Sequence, residues 1–252
     1  MKLCRFELLS SPGTPRSGIV YGSKVYETDG ANPVGVHEWA DVRLLSPIGL
    51  PPSVRIFAPA EEGYQWEHGP DVPFPSFAYL NPTTLLGPGF AMPMPEYTKQ
   101  VHADPCLAVV IAGAGRDVPV DEADGLVLGL TLVTSFHSNN EKAARARDAG
   151  FALGPAITTP DELDDAVTVD ERGRRYRFGL SLTVNAEEVL KVDLSDLPFT
   201  FAELLSYASE SAPLHQGDIV AVSLGANDRA LDKGDQVQAV CEKLGTLTTR
   251  IG

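Results

Sequence analysis

The sequence predicts a β-rich α+β fold, and three features carry the prediction. Short runs of β-branched and aromatic residues recur along the 252 residues, divided by 23 glycines and 20 prolines, which is the punctuation of strands joined by tight turns. The run Leu107-Ala108-Val109-Val110-Ile111-Ala112 is continuously apolar, as in a strand buried on both faces. Helical patterning is confined to residues 141–149, the turn after Pro160, and residues 201–209.

Taken in order, residues 2–9 read as a strand, residues 10–15 (SSPGTP) as a turn, and residues 17–26 as a second strand. Thr28 to Pro33 (TDGANP) reads as another turn, and residues 42–45 as a strand or turn. Pro47, Pro51 and Pro52 mark a linker, since three prolines in six residues suit neither a helix nor a central strand. The expected division is a small amino-terminal β cap over residues 1–50 and a main domain over 51–252. In the last helix Phe201, Leu204, Leu205 and Ala208 share one side and Thr200 is placed to cap it, so one face should lie on the sheet.

The 34 acidic and 20 basic residues leave a net charge of −14, with no basic stripe and no block of like charge. Nucleic acid and anionic membranes are therefore poor partners, and a small organic molecule is the expected ligand. Cys4, Cys106 and Cys241 are an odd, widely spaced set, unlike a disulfide framework or a structural zinc site. The start of the chain lacks a signal-peptide pattern, and no apolar run approaches the ~18 residues of a membrane span. These features together predict a cytoplasmic protein.

Motifs spread over about three quarters of the chain occur in a particular order. They are Phe77 to Gly89 (FAYLNPTTLLGPG), the apolar run 107–112, Val120-Asp121-Glu122-Ala123, Gly129-Leu130-Thr131 and residues 153–163 (LGPAITTPDEL). Residues 182–187 (LTVNAE), 199–209, 214–220 (LHQGDIV), 231–237 (LDKGDQV) and 244–247 (LGTL) follow. In order and spacing the chain resembles the fumarylacetoacetate hydrolase superfamily. The resemblance implies a mixed β-sheet roll with a small amino-terminal β cap, and a homodimer. It also implies a divalent cation held by three carboxylates, whose positions fall here on Asp104, Cys106 and Ser135. Only one acid remains, so Mg²⁺ should bind weakly or not at all and no cofactor is expected.

Residues two apart in a strand share a face, so His102, Asp104 and Cys106 should project together, as should Thr131, Val133, Ser135 and His137. The family's strand pairing would bring these faces into one pocket. A softer ion held by His102, Asp104, Cys106 and His137 is one reading of the set. In the other, Cys106 and Ser135 only line a cavity.

The resemblance also points to a His/Glu dyad on a lid, which falls on His68 and Asp71 in residues 63–71 (GYQWEHGPD). A carboxylate would fix the tautomer of such a histidine and raise its basicity; a solvated loop histidine is the alternative. A family lysine becomes Asn81. A second falls on Arg145 with Asp148 retained, or on Lys142 if the loop is gapped differently, and an arginine there could clamp an anion. Arg145 and Arg147 could equally be a solvated helix face. The family's substrate-contacting Thr-Gly-Thr-Pro strand end reads Val222-Ser223-Leu224-Gly225 here, so that hydroxyl and its proline turn are absent, with Ser223 as a partial substitute.

The favoured expectation is a metal-independent enzyme acting on an enolisable β-dicarbonyl or polyketide-like small molecule in specialised metabolism. Decarboxylation, dehydration, isomerisation and cyclisation fit acid–base or shape-assisted chemistry. His68 with Asp71, and His137, are the proton-moving residues, and Asn81, His102, Asp104, Cys106, Ser135, Arg145 and Ser223 line the substrate. The alternatives are a metal-dependent hydrolase of C–C bonds in acylpyruvates and a non-catalytic ligand-binding or scaffold paralogue.

Overall fold

A computed structural model describes residues 1–58, 76–98, 100–138 and 146–252. The chain begins with β1 (Lys2–Leu8), β2 (Ser11–Tyr21), β3 (Lys24–Asp29), β4 (Asn32–Glu38), β5 (Val42–Leu45) and β6 (Val54–Phe57). Next come β7 (Phe77–Tyr79), β8 (Leu85–Leu86), β9 (Ala91–Met92), β10 (Val101–Ile111), α1 (Val120–Ala123), β11 (Val127–Ser138) and β12 (Gly150–Thr158). The remainder is β13 (Val167–Asp170), β14 (Gly173–Tyr176), β15 (Gly179–Val184), β16 (Glu187–Asp193), α2 (Phe201–Ser211), β17 (Ile219–Ser223), β18 (Gln236–Cys241) and β19 (Gly245–Ile251).

A 12-stranded sheet runs in the order β4-β3-β2-β1-β12-β11-β10-β17-β6-β7, with β5 on β1 and β8 on β12. A five-stranded sheet, β16-β15-β18-β19-β9, is the second layer. One face of β10 and β11 (Leu107, Val109, Leu130, Leu132, Phe136) joins the main core with Leu180, Leu182, Ala239 and Leu247 of that second sheet and Leu204 and Leu205 of α2. The other face packs Cys106, Ala108 and Val133 with Ile56, Phe151, Leu153 and Ala221. Every residue of β10 is buried, which is why its sequence is an unbroken apolar run rather than an alternating one. Between β11 and β12 a Cβ on Gly129 would stand 2.5 Å from the Thr158 carbonyl oxygen, so glycine permits the close approach there.

Pro105 lies inside this central strand. Its carbonyl accepts from the Leu224 N–H at 3.0 Å, so its ring nitrogen faces the same side. The ladder to β17 begins only at Cys106 opposite Ser223, and no donor is missed.

Two amino-terminal expectations are corrected. The 10–15 segment is mostly strand, because β2 begins at Ser11; the reversal falls at residues 9–10. Pro12 to Pro15 lack a ladder partner, since β1 skips from Leu8↔Ser11 to Phe6↔Arg16 and β3 starts pairing only at Ser17, and the prolines therefore cost no hydrogen bond. The expected 17–26 strand is split by a turn at Gly22, whose φ of +58° suits glycine.

α2 is capped as expected and extends two residues further. Thr200 Oγ1 accepts from the Glu203 N–H at 3.2 Å, and Glu203 Oε2 accepts from the Thr200 N–H at 2.9 Å, a reciprocal capping box. Arg172 clamps the same Glu203 at 2.6 and 2.9 Å. Most of the helix expected at 141–149 lies outside the described residues; residues 147–149 form a turn.

Candidate functional site

β10 and β11 pair antiparallel with His102 opposite His137, Asp104 opposite Ser135 and Cys106 opposite Val133. Directly opposed residues share a face, so this register puts His102, Asp104, Cys106, Ser135 and His137 on one side of the sheet. β17 adds Ser223 opposite Cys106, and β12 adds Phe151 opposite Ser135 and Leu153 opposite Val133. The result is a polar patch beside an apolar floor.

Asp104 Oδ2 lies 3.3 Å from His137 Nδ1, a diagonal contact across the two strands. The His102 and His137 rings stack at 5.7 Å between centroids with 29° between planes. Asp104 is only 7% exposed and Ser135 fully buried. Asp104 Oδ1, Ser135 Oγ, Ser223 Oγ and His102 Nδ1 are buried with no hydrogen-bond partner among the described residues. Such atoms are costly in a folded core.

Burial lifts the Asp104 carboxyl from 3.8 to about 7, against the downward pull of the Arg147 charge. The carboxyl is thus divided between its protonated and ionised forms near neutral pH. Its contact with the His137 ring is at ion-pair distance, so the charge state of the carboxyl is felt at that ring. Burial, reinforced by the Asp104 charge, pushes the Cys106 thiol well above its ordinary value. A thiol held protonated is neither a nucleophile nor a metal ligand at neutral pH.

The donors at the three metal positions do not fit the family's cation. One carboxylate, a protonated thiol and a neutral hydroxyl lack the anionic oxygens that a hard dication requires. Among the described residues no three His, Cys, Asp or Glu side chains converge on a site able to hold a metal ion. The soft-ion reading of His102, Asp104, Cys106 and His137 is therefore corrected: the strand register brings them to one face without assembling a coordination sphere.

His68, Asp71, Lys142 and Arg145 lie outside the described residues. Asn81 is exposed and does not join the patch; its Oδ1 accepts from the Thr83 N–H at 3.1 Å and lies 2.8 Å from the Thr83 hydroxyl. Arg147, read from the sequence as part of a possible solvated helix face, is half-buried in the turn before β12, and its charge contributes at Asp104 and Cys106.

The fold, with this polar patch on its large sheet, is a mixed-sheet roll of the fumarylacetoacetate hydrolase type. Residues 57–252 match the family described as fumarylacetoacetate (FAA) hydrolase C-terminal, and residues 1–47 match the Rv2993c-like N-terminal family. The chain belongs to the fumarylacetoacetate hydrolase family. It is 27% identical over 233 residues to maleylpyruvate hydrolase of Aquipseudomonas alcaligenes (84% of this chain, 76% of the relative). It is 23% identical over 234 residues to the human mitochondrial oxaloacetate tautomerase FAHD2B (84% and 70%). The crystal structure of 2-hydroxyhepta-2,4-diene-1,7-dioate isomerase from Mycobacterium marinum superposes with a TM-score of 0.83 at 22% identity, covering 100% of this chain and 98% of that one. These kinships support an enzyme role of this general kind. No helix among the described residues is long and apolar enough to cross a membrane, and all three cysteines are buried free thiols.

Proposed function

We propose that this protein is a metal-independent enzyme that moves protons on an enolisable β-dicarbonyl or polyketide-like small molecule, with isomerisation, decarboxylation, dehydration or cyclisation as the outcome. The observation that carries the reading is the Asp104–His137 contact, 3.3 Å long, in a buried patch where burial lifts the carboxyl to about 7. A pair of that kind can take a proton from an acidic C–H and return it at another atom without a large change in driving force. In this reading the buried hydroxyls of Ser135 and Ser223 donate to a developing enolate oxygen. His68, with Asp71 as its partner by the family resemblance, is assigned as a second proton carrier. A homodimer in the cytoplasm belongs to the same reading, supported by the family resemblance and by the odd, widely spaced cysteines of the sequence.

The test is turnover of a panel of 1,3-dicarbonyl acids and esters by EDTA-treated protein. Activity should survive chelation and fall about 10²- to 10⁴-fold in His137→Ala and His68→Ala, with the exposed His215→Ala as control. Activity lost on chelation and restored by a divalent cation would return the protein to the metal-dependent hydrolases. Unchanged turnover in both histidine variants would remove the acid–base mechanism. Sedimentation showing only monomer at micromolar concentration would remove the dimer.

A further inference from the structure

The amino-terminal cap and the main domain touch along a short seam and then part. β1 pairs with β12 only at Lys2–Thr158 and Leu3–Ile157. Beyond those pairs a small apolar cluster of Cys4, Phe6, Val25, Leu44 and Ala156 fills the space between them. Beside that cluster a cleft of about 260 Å³ remains, walled by Trp39 and Leu44 of the cap and by Pro155, Leu244 and Thr246 of the main domain. Lys2 is the one charged side chain in its lining. None of these residues belongs to the polar patch on β10 and β11.

Two features set this cleft apart from an ordinary surface crevice. Trp39 keeps 47% of its surface exposed, although Leu44 and Leu244 in the same walls are buried, so a large aromatic wall stands open to an incoming group. Lys2 is half-buried, and its side chain forms no ion pair or hydrogen bond among the described residues. The carboxylates that could have taken its charge are engaged elsewhere, Asp161 and Glu162 with the Met1 ammonium and Asp165 with Lys243. An unpaired ammonium at apolar walls that include an indole is complementary to an anion carried on an apolar body. Ligand sites favour domain boundaries, and drug-sized ligands occupy ~300–1,000 Å³, so this smaller volume restricts the occupant to about one ring.

We propose that this cleft is a ligand site in its own right, taking a small monocarboxylate whose apolar body is about the size of one ring. The carboxylate lies on Lys2 and the ring against Trp39, Leu44 and Leu244. The site is independent of proton transfer at Asp104 and His137.

Nuclear magnetic resonance of the whole protein tests this with benzoate as the probe. The chain has two tryptophans, Trp39 and Trp66, so the indole N–H signal that survives in Trp66→Phe belongs to Trp39. Benzoate should move that signal saturably, with Kd on the order of a millimolar. Benzamide, its neutral isostere, should bind about threefold to fivefold more weakly, and benzoate should lose the same factor in Lys2→Gln. Acetate, which has the charge without the ring, should leave the signal in place. Thr246 is exposed, so Thr246→Phe fills the cleft from its open side and should abolish the saturable shift. Melting curves matching wild type establish that the variants are folded; if Lys2→Gln is not, benzoate against benzamide on wild type decides the role of charge. No saturable shift with benzoate, equal affinity for benzoate and benzamide, undiminished affinity in folded Lys2→Gln, a comparable shift with acetate, or binding that persists in folded Thr246→Phe overturns the proposal.

Discussion

Asp104 and His137 meet across adjacent antiparallel strands, carboxylate oxygen to ring nitrogen, at 3.3 Å. They are not directly opposed, because Asp104 faces Ser135 and His137 faces His102. The contact is the diagonal one that long side chains make across a twisted sheet. It lies beside the apolar floor formed by Cys106, Val133, Phe151 and Leu153, which excludes the water that would otherwise solvate the carboxylate.

Stability should depend on pH through Asp104. Its folded value, about 7, lies above the ordinary 3.8, so the fold favours the neutral carboxyl. The charged form is penalised progressively as pH rises from about 4 to about 7, and the penalty is complete above that range. Urea denaturation of wild type and Asp104→Asn between pH 4 and 8 should show wild type losing ground as pH rises, by up to on the order of 4 kcal/mol. A difference independent of pH would mean that the carboxyl titrates normally.

Ser135 and Ser223 should behave as functional rather than structural residues. Their buried hydroxyls have no partner among the described residues, so replacing either with alanine removes an unsatisfied group and should leave stability unchanged or raise it by about 1 kcal/mol. Turnover of the substrate should fall in the same variants. Loss of melting temperature without loss of activity would reverse these roles.

Thr200→Ala should destabilise the protein by about 0.5–2 kcal/mol, since it removes the acceptor for the first turn of α2. The Arg172–Glu203 clamp survives the change, so the helix should remain. Chemical denaturation measures the loss, and a cost within error would assign the helix start to Arg172 instead.

Elemental analysis of purified protein should find less than stoichiometric Mg²⁺, Mn²⁺ and Ca²⁺, because Asp104 is the sole carboxylate left at the three metal positions. About one equivalent per chain, removed by Asp104→Ala, would contradict the donor-set argument.

Much of the site was legible because strand geometry is local. Alternation alone puts His102, Asp104 and Cys106 on one side of a strand, and Ser135 and His137 on one side of another. The capping of α2 by Thr200 was legible for the same reason, the partners being three residues apart. The prolines of residues 10–15 misled: they signal a turn where the chain in fact continues β2, because whether a proline breaks a strand depends on a ladder partner that the sequence does not display.

The sequence by itself determined the β-rich class and the family, since these depend on residue identity, order and spacing along the chain. Only the tertiary structure decided that Asp104 contacts His137, that Ser223 joins them from a strand more than a hundred residues away, and that the carboxyl titrates near neutrality. Register and desolvation are properties of the assembled sheet: a carboxyl's environment is set by the side chains that long-range pairing packs around it, not by its neighbours in sequence.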